Sequence, residues 1–573
     1  MEIRDLTPAE RRVWRAFPRG RRVDFTDRPP GPERTVRAKV LRALLLTQGA
    51  ADGEVASLRM TAARITGRLD LKYATVEHPV SLHGCHFDEV PFLYGARVRQ
   101  FNLQGSHLPG LDAATIHVDG VLRVTGCRVT GLARLGGARI SGALFCDGAE
   151  FGSPGVATAL ELNHVSVGRD LYGVGLAAHG TVRLNGAEVT GKVNLRDAVL
   201  DAPGGTALNA KLLTVGSNVS LDELQAQGEV RLHGARIPGQ LGLTGARLSE
   251  PGGTALDVGA VVIGSGADLT GLQAEGRIEL HDATVTGPLD LSRARLTAPG
   301  GVVLDATSLT VGSNVVLHRL QAEGRVELRG ATISGQLNCA GARFTNPGET
   351  ALRASSCTIG ELWLREDSLI EGAVNLRRSQ IDMVHAEPGA WPDVVKLDGF
   401  VYTALNPRRP ARERLPLLER DDDGYVPFAY EQLAASYRRI GDEAGVRAVQ
   451  LARQRRHRGT LPWYARIWGY LQEVTVGYGF KPLRAAAWLV ALLAAGTAAF
   501  GLHHPPPLKP DETPGFNALF YTLDLLLPII DFGQEKAFKP QGGYQWLSYA
   551  LILAGWVLAT TIITGITRAL SRQ

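Results

Sequence analysis

Four proline–glycine pairs in this chain of 573 residues follow one another at a constant spacing of 48 residues. The prolines of the four pairs are Pro203, Pro251, Pro299 and Pro347. Longer segments that start at Gln225, Gln273 and Gln321 resemble one another at the same spacing, and a more divergent copy starts at Ala177. Self-similarity at a fixed period of this length is typical of repeat proteins, so it limits the possible folds more than any other feature does.

Each repeat contains a shorter unit of about 11 residues, in which glycine interrupts alternating apolar and polar residues, and this pattern predicts short strands joined by turns. In one such unit the characteristic residues are Gly228, Val230, Leu232, Ala235 and Ile237. In the next unit the equivalent residues are Gly239, Leu241, Leu243, Ala246 and Leu248. Because such strands cannot bury an apolar face alone, successive coils must stack. We therefore predict a mainly β fold, a long parallel β-solenoid with about two coils per 48-residue repeat.

The remaining segments predict helices and membrane-associated structure around the solenoid. Residues 1–53 form a basic segment with a capping helix over 35–46, for which Thr35 is the expected N-cap. The basic residues there suit either a solvated surface or an anionic partner. The full set of predicted domains is 1–53, the solenoid 54–405, a linker 406–426, a helical hairpin 427–459, an interfacial juxtamembrane segment 460–484, a transmembrane helix 485–502, a re-entrant segment 516–533 and a second transmembrane helix 546–566.

Five cysteines and the histidines around Cys85 raise the question of a metal or redox site. The cysteines are Cys85, Cys127, Cys146, Cys339 and Cys357. Aligned on the repeat, all five fall at inward positions that alanine or leucine holds in other copies, which predicts buried structural cysteines. His83 falls at the outward position of His233 and His281, so it is expected to face solvent. No CxxC pair accompanies them, and we predict no metal site and no redox disulfide.

The sequence contains none of the common catalytic signatures. The glycine strings at 173–175 and 264–266 lack the complete dinucleotide fingerprint and lie inside the repeat. A nucleophile elbow, an HExxH pair and a P-loop are also missing from the sequence. We therefore predict a protein that is not an enzyme, with no catalytic residue and no cofactor.

Two apolar stretches near the C-terminus are long enough to span a membrane. Residues 485–502 carry no charge, and residues 546–566 form the longer stretch. Basic residues flank both outer sides, and the N-terminus has no secretory signal, which predicts a multi-pass inner or plasma membrane protein with the solenoid and both termini in the cytoplasm. The predicted membrane-interface basic residues are Arg453, Arg455, Arg456, Arg458, Lys481 and Arg484.

Residues 516–533 lie between these two predicted spans and are apolar but too short to cross. A re-entrant half-helix with a return loop fits this length, and such backbone is tolerated only within an assembly or beside water, which predicts a homo-oligomer. Asp524 and Asp531 are the acidic groups at this depth. Together with Gly533 they are the candidate residues of an ion path, although both could instead face an aqueous vestibule without conducting.

The order of span, half-helix, glycine-containing loop and span resembles the pore module of two-span ion channels. This resemblance covers about the last 110 residues, and the whole chain is similar to bacterial membrane-anchored, pentapeptide-repeat-like solenoid proteins. The string ThrValGlyTyrGly at 475–479 matches a potassium filter, but it precedes the first span, whereas a filter follows the half-helix. The resemblance therefore implies a channel-like oligomer without implying potassium selectivity.

Three functions follow as expectations. The first is a membrane-anchored scaffold whose solenoid binds an unknown cytoplasmic protein. The second is a cation-conducting oligomer in which the solenoid senses or gates. The third is a membrane-associated oxidoreductase, a description that similar proteins sometimes carry. The formal net charge of +5 does not suit mimicry of DNA, and nucleic acid is not expected as a partner.

Overall fold

The computed structural model describes residues 5–29, 31–365, 367–476, 482–509, 515–527 and 530–570. The chain divides into two compact units. The first comprises Met1–Arg409 and Arg420–Asp422, and the second comprises Pro410–Glu419 and Asp423–Gln573.

The first unit is a parallel β-solenoid of about 16 turns, which confirms the predicted fold. Each coil contributes strands to two sheets, and strands of neighbouring coils pair in parallel. One repeat contains the strands Gln225–Arg231, Arg236–Ile237, Leu241–Gly242, Arg247–Asp257, Val262–Ile263 and Ala267–Asp268. The first strand of the unit is Val23–Asp24 and the last is Val401–Asn406.

The register of the strands explains why one repeat spans two coils and not one. Gln225 pairs with Arg247 on the next coil, and Arg247 pairs with Gln273 on the coil after that. The second step is the longer one along the sequence, because that coil holds the additional residues of a proline–glycine loop. Four strands of 11 residues carry these loops, namely Val199–Asn209, Arg247–Asp257, Arg295–Asp305 and Arg343–Arg353.

The solenoid core consists of small and aliphatic side chains that point inward from every strand. Leu232, Ala235 and Ile237 are almost completely buried, as are their repeat equivalents. Between the strands, residues with a left-handed backbone conformation recur at regular intervals. Glycine holds many of these turn positions, for example Gly234 and Gly245, because it adopts positive φ at little cost.

Leu212 holds one of these left-handed positions with a φ of 54° and has 65% of its surface exposed. An L-residue in this conformation costs about 1–2 kcal/mol relative to the right-handed form. We expect Leu212→Gly to raise the free energy of unfolding by about 0.5–1 kcal/mol, since the greater backbone entropy of glycine offsets part of the relief. Chemical denaturation of the full chain measures the change. The buried neighbour Leu213 gives the control, because Leu213→Gly should destabilise by more than about 2 kcal/mol.

Two helices, α1 (Pro8–Ala16) and α2 (Ala38–Thr47), lie at the N-terminal end of the solenoid. The apolar stripe of α2 is buried as predicted. The prediction of Thr35 as its N-cap is wrong, because α2 starts at Ala38 and its N-cap is Arg37. Thr35 belongs instead to a short strand that pairs with Arg64–Thr66, so pairing with the next coil outweighs the local capping preference.

The second unit is helical. Its helices are α3 (Ala411–Glu419), α4 (Pro427–Arg439), α5 (Glu443–Thr460), α6 (Trp463–Val476), α7 (Pro482–Leu502), α8 (Ala518–Leu526) and α9 (Gly543–Leu570). Helix α3 lies within the stretch 406–426 where the sequence predicts a linker, and α4 packs against α5 where it predicts a helical hairpin. The second predicted span, 546–566, falls within α9, and Lys481 lies outside the described residues.

One helical stretch among the described residues, Arg484–Leu502, is long and apolar enough to cross a membrane. Its mean hydropathy is 1.9 over the most apolar part. This observation agrees with the first predicted span by length and composition only, so the complete two-span topology stays a prediction.

Candidate functional site

The candidate site is the short helix α8 with the loop that follows it, because these elements hold Asp524, Asp531 and Gly533. Helix α8 has nine residues and packs between α7 and α9. Two glycines permit this packing. A β-carbon at Gly496 of α7 would overlap the side chain of Thr522, and one at Gly555 of α9 would overlap the backbone of Leu526. Small residues allow helices to approach closely in this way.

Aromatic and aliphatic side chains fill the space around α8. Tyr521, Leu525 and Leu526 of α8 are buried against Phe500 of α7 and Leu551 of α9. The Tyr521 ring meets the Phe500 ring edge to face, with centroids 5.0 Å apart. This apolar packing fixes the position of α8, and therefore of the acidic residue that α8 carries.

Asp524 is buried, with 5% of its surface exposed, and its carboxylate accepts hydrogen bonds from the return loop. One oxygen accepts from the backbone N–H of Phe532 at 2.5 Å. The other accepts from the N–H groups of Gln534 at 2.7 Å and Glu535 at 3.1 Å. These three backbone N–H groups donate to one carboxylate, so Asp524 holds the loop against α8.

Asp531 lies in a different environment from Asp524. Its side chain is exposed, forms an ion pair with Lys536 and accepts a hydrogen bond of 2.8 Å from the N–H of Gly533. Gly533 has a φ of 77°, which suits glycine and turns the loop at this point. The structure therefore places Asp531 and Gly533 on the return loop and Asp524 beneath it, and their role in an ion path stays a prediction.

Two further residues position this loop and were missed by the sequence reasoning. Asn517 is the N-cap of α8, and its side chain accepts from the N–H groups of Leu519 and Phe520. The side chain of Gln534 accepts from the N–H of Asn517 at 3.2 Å and donates to the carbonyl of Gly515 at 3.2 Å. The position of Asn517 directly before an apolar run is a capping signal that the sequence does contain. Gln534 gives no such signal.

The predicted membrane-interface arginines are mostly paired within the second unit. Arg453 forms an ion pair with Glu431, and Arg455 and Arg458 both bind Glu473 of α6. The Arg458 guanidinium also lies 3.7 Å from the centroid of the Tyr470 ring. Burial acts to raise the pKa of Glu473, but hydrogen bonds from Arg458 and Arg455 outweigh it and hold that pKa below its ordinary value. Much of the basic charge of α5 therefore serves to fix α6.

Helix α6 also exposes a stripe of large apolar residues at helical spacing. This stripe comprises Trp463, Tyr464, Ile467 and Tyr470, which are 58–72% exposed. Arg466 of the same helix and Arg484 at the start of α7 are also exposed. Aromatic residues with polar edges beside basic residues suit the interface between membrane and water.

Neutralising Glu473 should loosen the contact between α5 and α6. The pKa of Glu473 is depressed in the folded state, so its contribution is present above the ordinary carboxyl range and is lost as pH falls through the folded pKa. We expect Glu473→Gln to lower the free energy of unfolding in mild detergent by about 1–2 kcal/mol at pH 7. Once the pH is below the folded pKa of Glu473, the variant and the natural protein should converge in stability. Glu431→Gln breaks an exposed pair instead, and a loss above about 0.5 kcal/mol there would contradict this account.

All five cysteines are buried and free, which confirms their predicted positions in the core. Burial raises the pKa of the Cys85 and Cys339 thiols to about 12 and of the Cys127 and Cys357 thiols to about 11. Thiols with a raised pKa are poor nucleophiles and poor metal ligands. No group of three or more metal-binding side chains is close enough to hold an ion in the part of the chain that the structure describes.

His83 lies on the outer surface of the solenoid but is half-buried there, so the prediction of a simply solvent-facing side chain is incomplete. Its Nε2 atom lies 3.3 Å from the side-chain nitrogen of Asn102, one coil further along. Burial lowers the pKa of His83. Stacking between neighbouring coils shields outward side chains more than the sequence pattern alone indicates.

The fold and this site define a protein class: a parallel β-solenoid followed by a helical unit in which a nine-residue helix packs between two longer ones. Comparisons with protein-family models, with curated proteins and with solved structures each found no match to this chain.

Proposed function

We propose that this protein is a membrane-anchored scaffold, in which α7 and α9 span the bilayer and the solenoid presents its surface to a cytoplasmic partner. The observation that carries this proposal is the exposure of α7. Only 17% of its apolar stretch is buried within the chain. The core helix of a soluble protein buries most of such a stretch, whereas a membrane-spanning helix exposes it to lipid.

Exposed apolar residues on both long helices support the same proposal. Val490 and Leu502 of α7 are 63% and 79% exposed, and Trp546 and Leu553 of α9 are 77% and 71% exposed. Contiguous apolar surface of this kind is rare on soluble monomers. Lipid, together with the aromatic stripe of α6 at the interface, provides a suitable environment for it.

Membrane integration is tested with one substitution at two sites. Val490→Asp places a charge on the exposed face of α7, at a cost of about 3 kcal/mol if that face contacts lipid. Val262→Asp makes the same change at an exposed position of the solenoid, where Val262 is 48% exposed. We expect the first variant alone to lose most of its alkali-resistant membrane fraction. Equal behaviour of both variants, or release of the natural protein by alkali, would overturn the anchor.

Cation conduction is the second candidate, because the order of α7, the short helix α8, its loop and α9 along the chain resembles the pore module of two-span channels. The geometry gives this candidate less support than the anchor. The oxygens of Asp524 already accept three backbone N–H groups, and Asp531 is paired with Lys536. Purified protein reconstituted into planar bilayers measures conduction directly, and a current that Asp531→Asn reduces would favour the channel over the scaffold.

A further inference from the structure

One sheet of the solenoid carries two columns of polar side chains on its outer face. The first, called here the Arg/Gln column, runs in register through Gln225, Arg247, Gln273, Arg295, Gln321 and Arg343. The second, called the Glu/Thr column, runs through Gln227, Ser249, Glu275, Thr297, Glu323, Thr345 and Glu371. Over their first half the two columns form the floor of a groove of ≈ 550 Å³.

The proline–glycine loops form a ridge beside this groove. Each loop follows the two columns along the same strand, as Pro299 follows Arg295 and Thr297. The loops at 203–205, 251–253 and 299–301 are exposed and recur on every second coil. With coils about 4.8 Å apart, the loops are about 9.6 Å apart, and so are the arginines of the Arg/Gln column.

The charges in the two columns alternate, and no ion pair joins them among the residues that the structure describes. Arg247, Arg295 and Arg343 are exposed and form no ion pair within the described part of the chain. The glutamates of the Glu/Thr column lie on the intervening coils and are equally exposed. Glu275 accepts a hydrogen bond from Ser249 at 2.8 Å. The glutamates would repel an anionic polymer that lies along the groove, and the arginines would repel a cationic one.

We infer that this face binds a second copy of the same chain, with the two solenoids parallel and related by a two-fold axis along their length. Rotation about such an axis keeps each coil at the same level along the rod and reverses the order of the columns across the face. It therefore sets the ridge of each copy along the outer edge of the partner's Arg/Gln column, where the loops keep their spacing of about 9.6 Å. It also sets the Arg/Gln column of one copy opposite the Glu/Thr column of its partner, so that arginine reaches glutamate on a neighbouring coil.

The size of this face indicates a weak pairing. From Gln227 to Glu371 the columns cross seven strands, a length of about 29 Å at the usual strand spacing. With a width of about 16 Å, or five residues along a strand, both copies together would bury about 900 Å². This is below the area of most stable interfaces, so we expect pairing that is strong only where copies are concentrated.

Site-specific crosslinking of the full chain tests the arrangement. Copies with Gln321→Cys and copies with Gly301→Cys carry tags of different size and are co-expressed, then treated with a short thiol crosslinker. The two positions lie on neighbouring coils, and the added β-carbon at Gly301 meets no atom closer than 3.6 Å. The native thiols are buried and should not react. We expect the mixed dimer to form at least fivefold more than with the control partner Thr310→Cys, which lies on the other sheet.

Charge reversal tests whether the crosslinked product depends on this face or on a contact made by the helical unit. The triple variant Arg247→Glu, Arg295→Glu, Arg343→Glu should reduce the crosslinked product at least fivefold. Co-expression with the variant Glu275→Arg, Glu323→Arg, Glu371→Arg should restore it, and circular dichroism confirms that both variants keep the fold. The inference is overturned if the mixed dimer does not exceed the control, if reversal leaves it unchanged, or if only the helical unit associates. Membrane anchoring can fail its own test without affecting these results.

Discussion

Gly287→Ala is expected to destabilise the solenoid by about 3 kcal/mol or more, a large effect for a single methyl group. Gly287 lies in the bend between two short strands, and a β-carbon there would overlap the carbonyl oxygen of Ser265 on the preceding coil. That oxygen belongs to the backbone, so one coil must move against the other. Because coils are spaced by their hydrogen bonds, the displacement weakens pairing on both sides.

Gly301→Ala provides the matched control, since Gly301 is in the same repeat and has room for a β-carbon. The same substitution there should be neutral or slightly stabilising, through the reduced freedom of the unfolded chain. Denaturation of both variants, followed by circular dichroism, measures the difference. Equal stability of the two variants would show that the coils are not packed at the spacing described.

Asp524→Ala should give the second large effect, in the helical unit. The substitution leaves the N–H groups of Phe532, Gln534 and Glu535 without their acceptor, at about 1–3 kcal/mol for each group that stays buried. We expect the return loop to separate from α8 and the unit to lose about 3 kcal/mol or more of stability in detergent. Thermal unfolding and limited proteolysis of the loop measure this loss.

Asp531→Ala is the control for this second prediction. Asp531 is exposed and its ion pair with Lys536 lies at the surface, so removing it should cost less than about 1 kcal/mol. A similar loss of stability for the two aspartates would contradict the distinction between a buried loop anchor and a surface pair. It would also restore Asp524 as a candidate for a role other than holding the loop.

The repeat made the solenoid predictable down to single side chains. Once Cys146 and Cys339 were aligned with leucines of other copies, their burial followed, because every coil repeats the same inward positions. Local rules were less reliable where pairing between coils competes with them. Thr35 has the chemistry of an N-cap, yet it lies in a strand that pairs with Arg64–Thr66 of the next coil.

The candidate site was predictable only in part. The sequence located an acidic residue in an apolar half-helix, but it could not show what the carboxylate of Asp524 binds. Its partners are backbone N–H groups eight to eleven residues further on, and backbone groups carry no sequence signal. The packing glycines Gly496 and Gly555 are visible in the sequence, but their role depends on which helix faces them.

The alternation of shorter and longer coils has a consequence for how such a rod can change in evolution or by design. Inserting or deleting one coil would place a proline–glycine loop beside a coil that lacks the matching glycine, as Gly276 matches the loop at Gly253. Inserting or deleting a pair of coils preserves every such match. The length of the rod therefore changes in steps of about 9.6 Å. Homologous recombination between repeats would add or remove such a pair of coils without requiring a new turn.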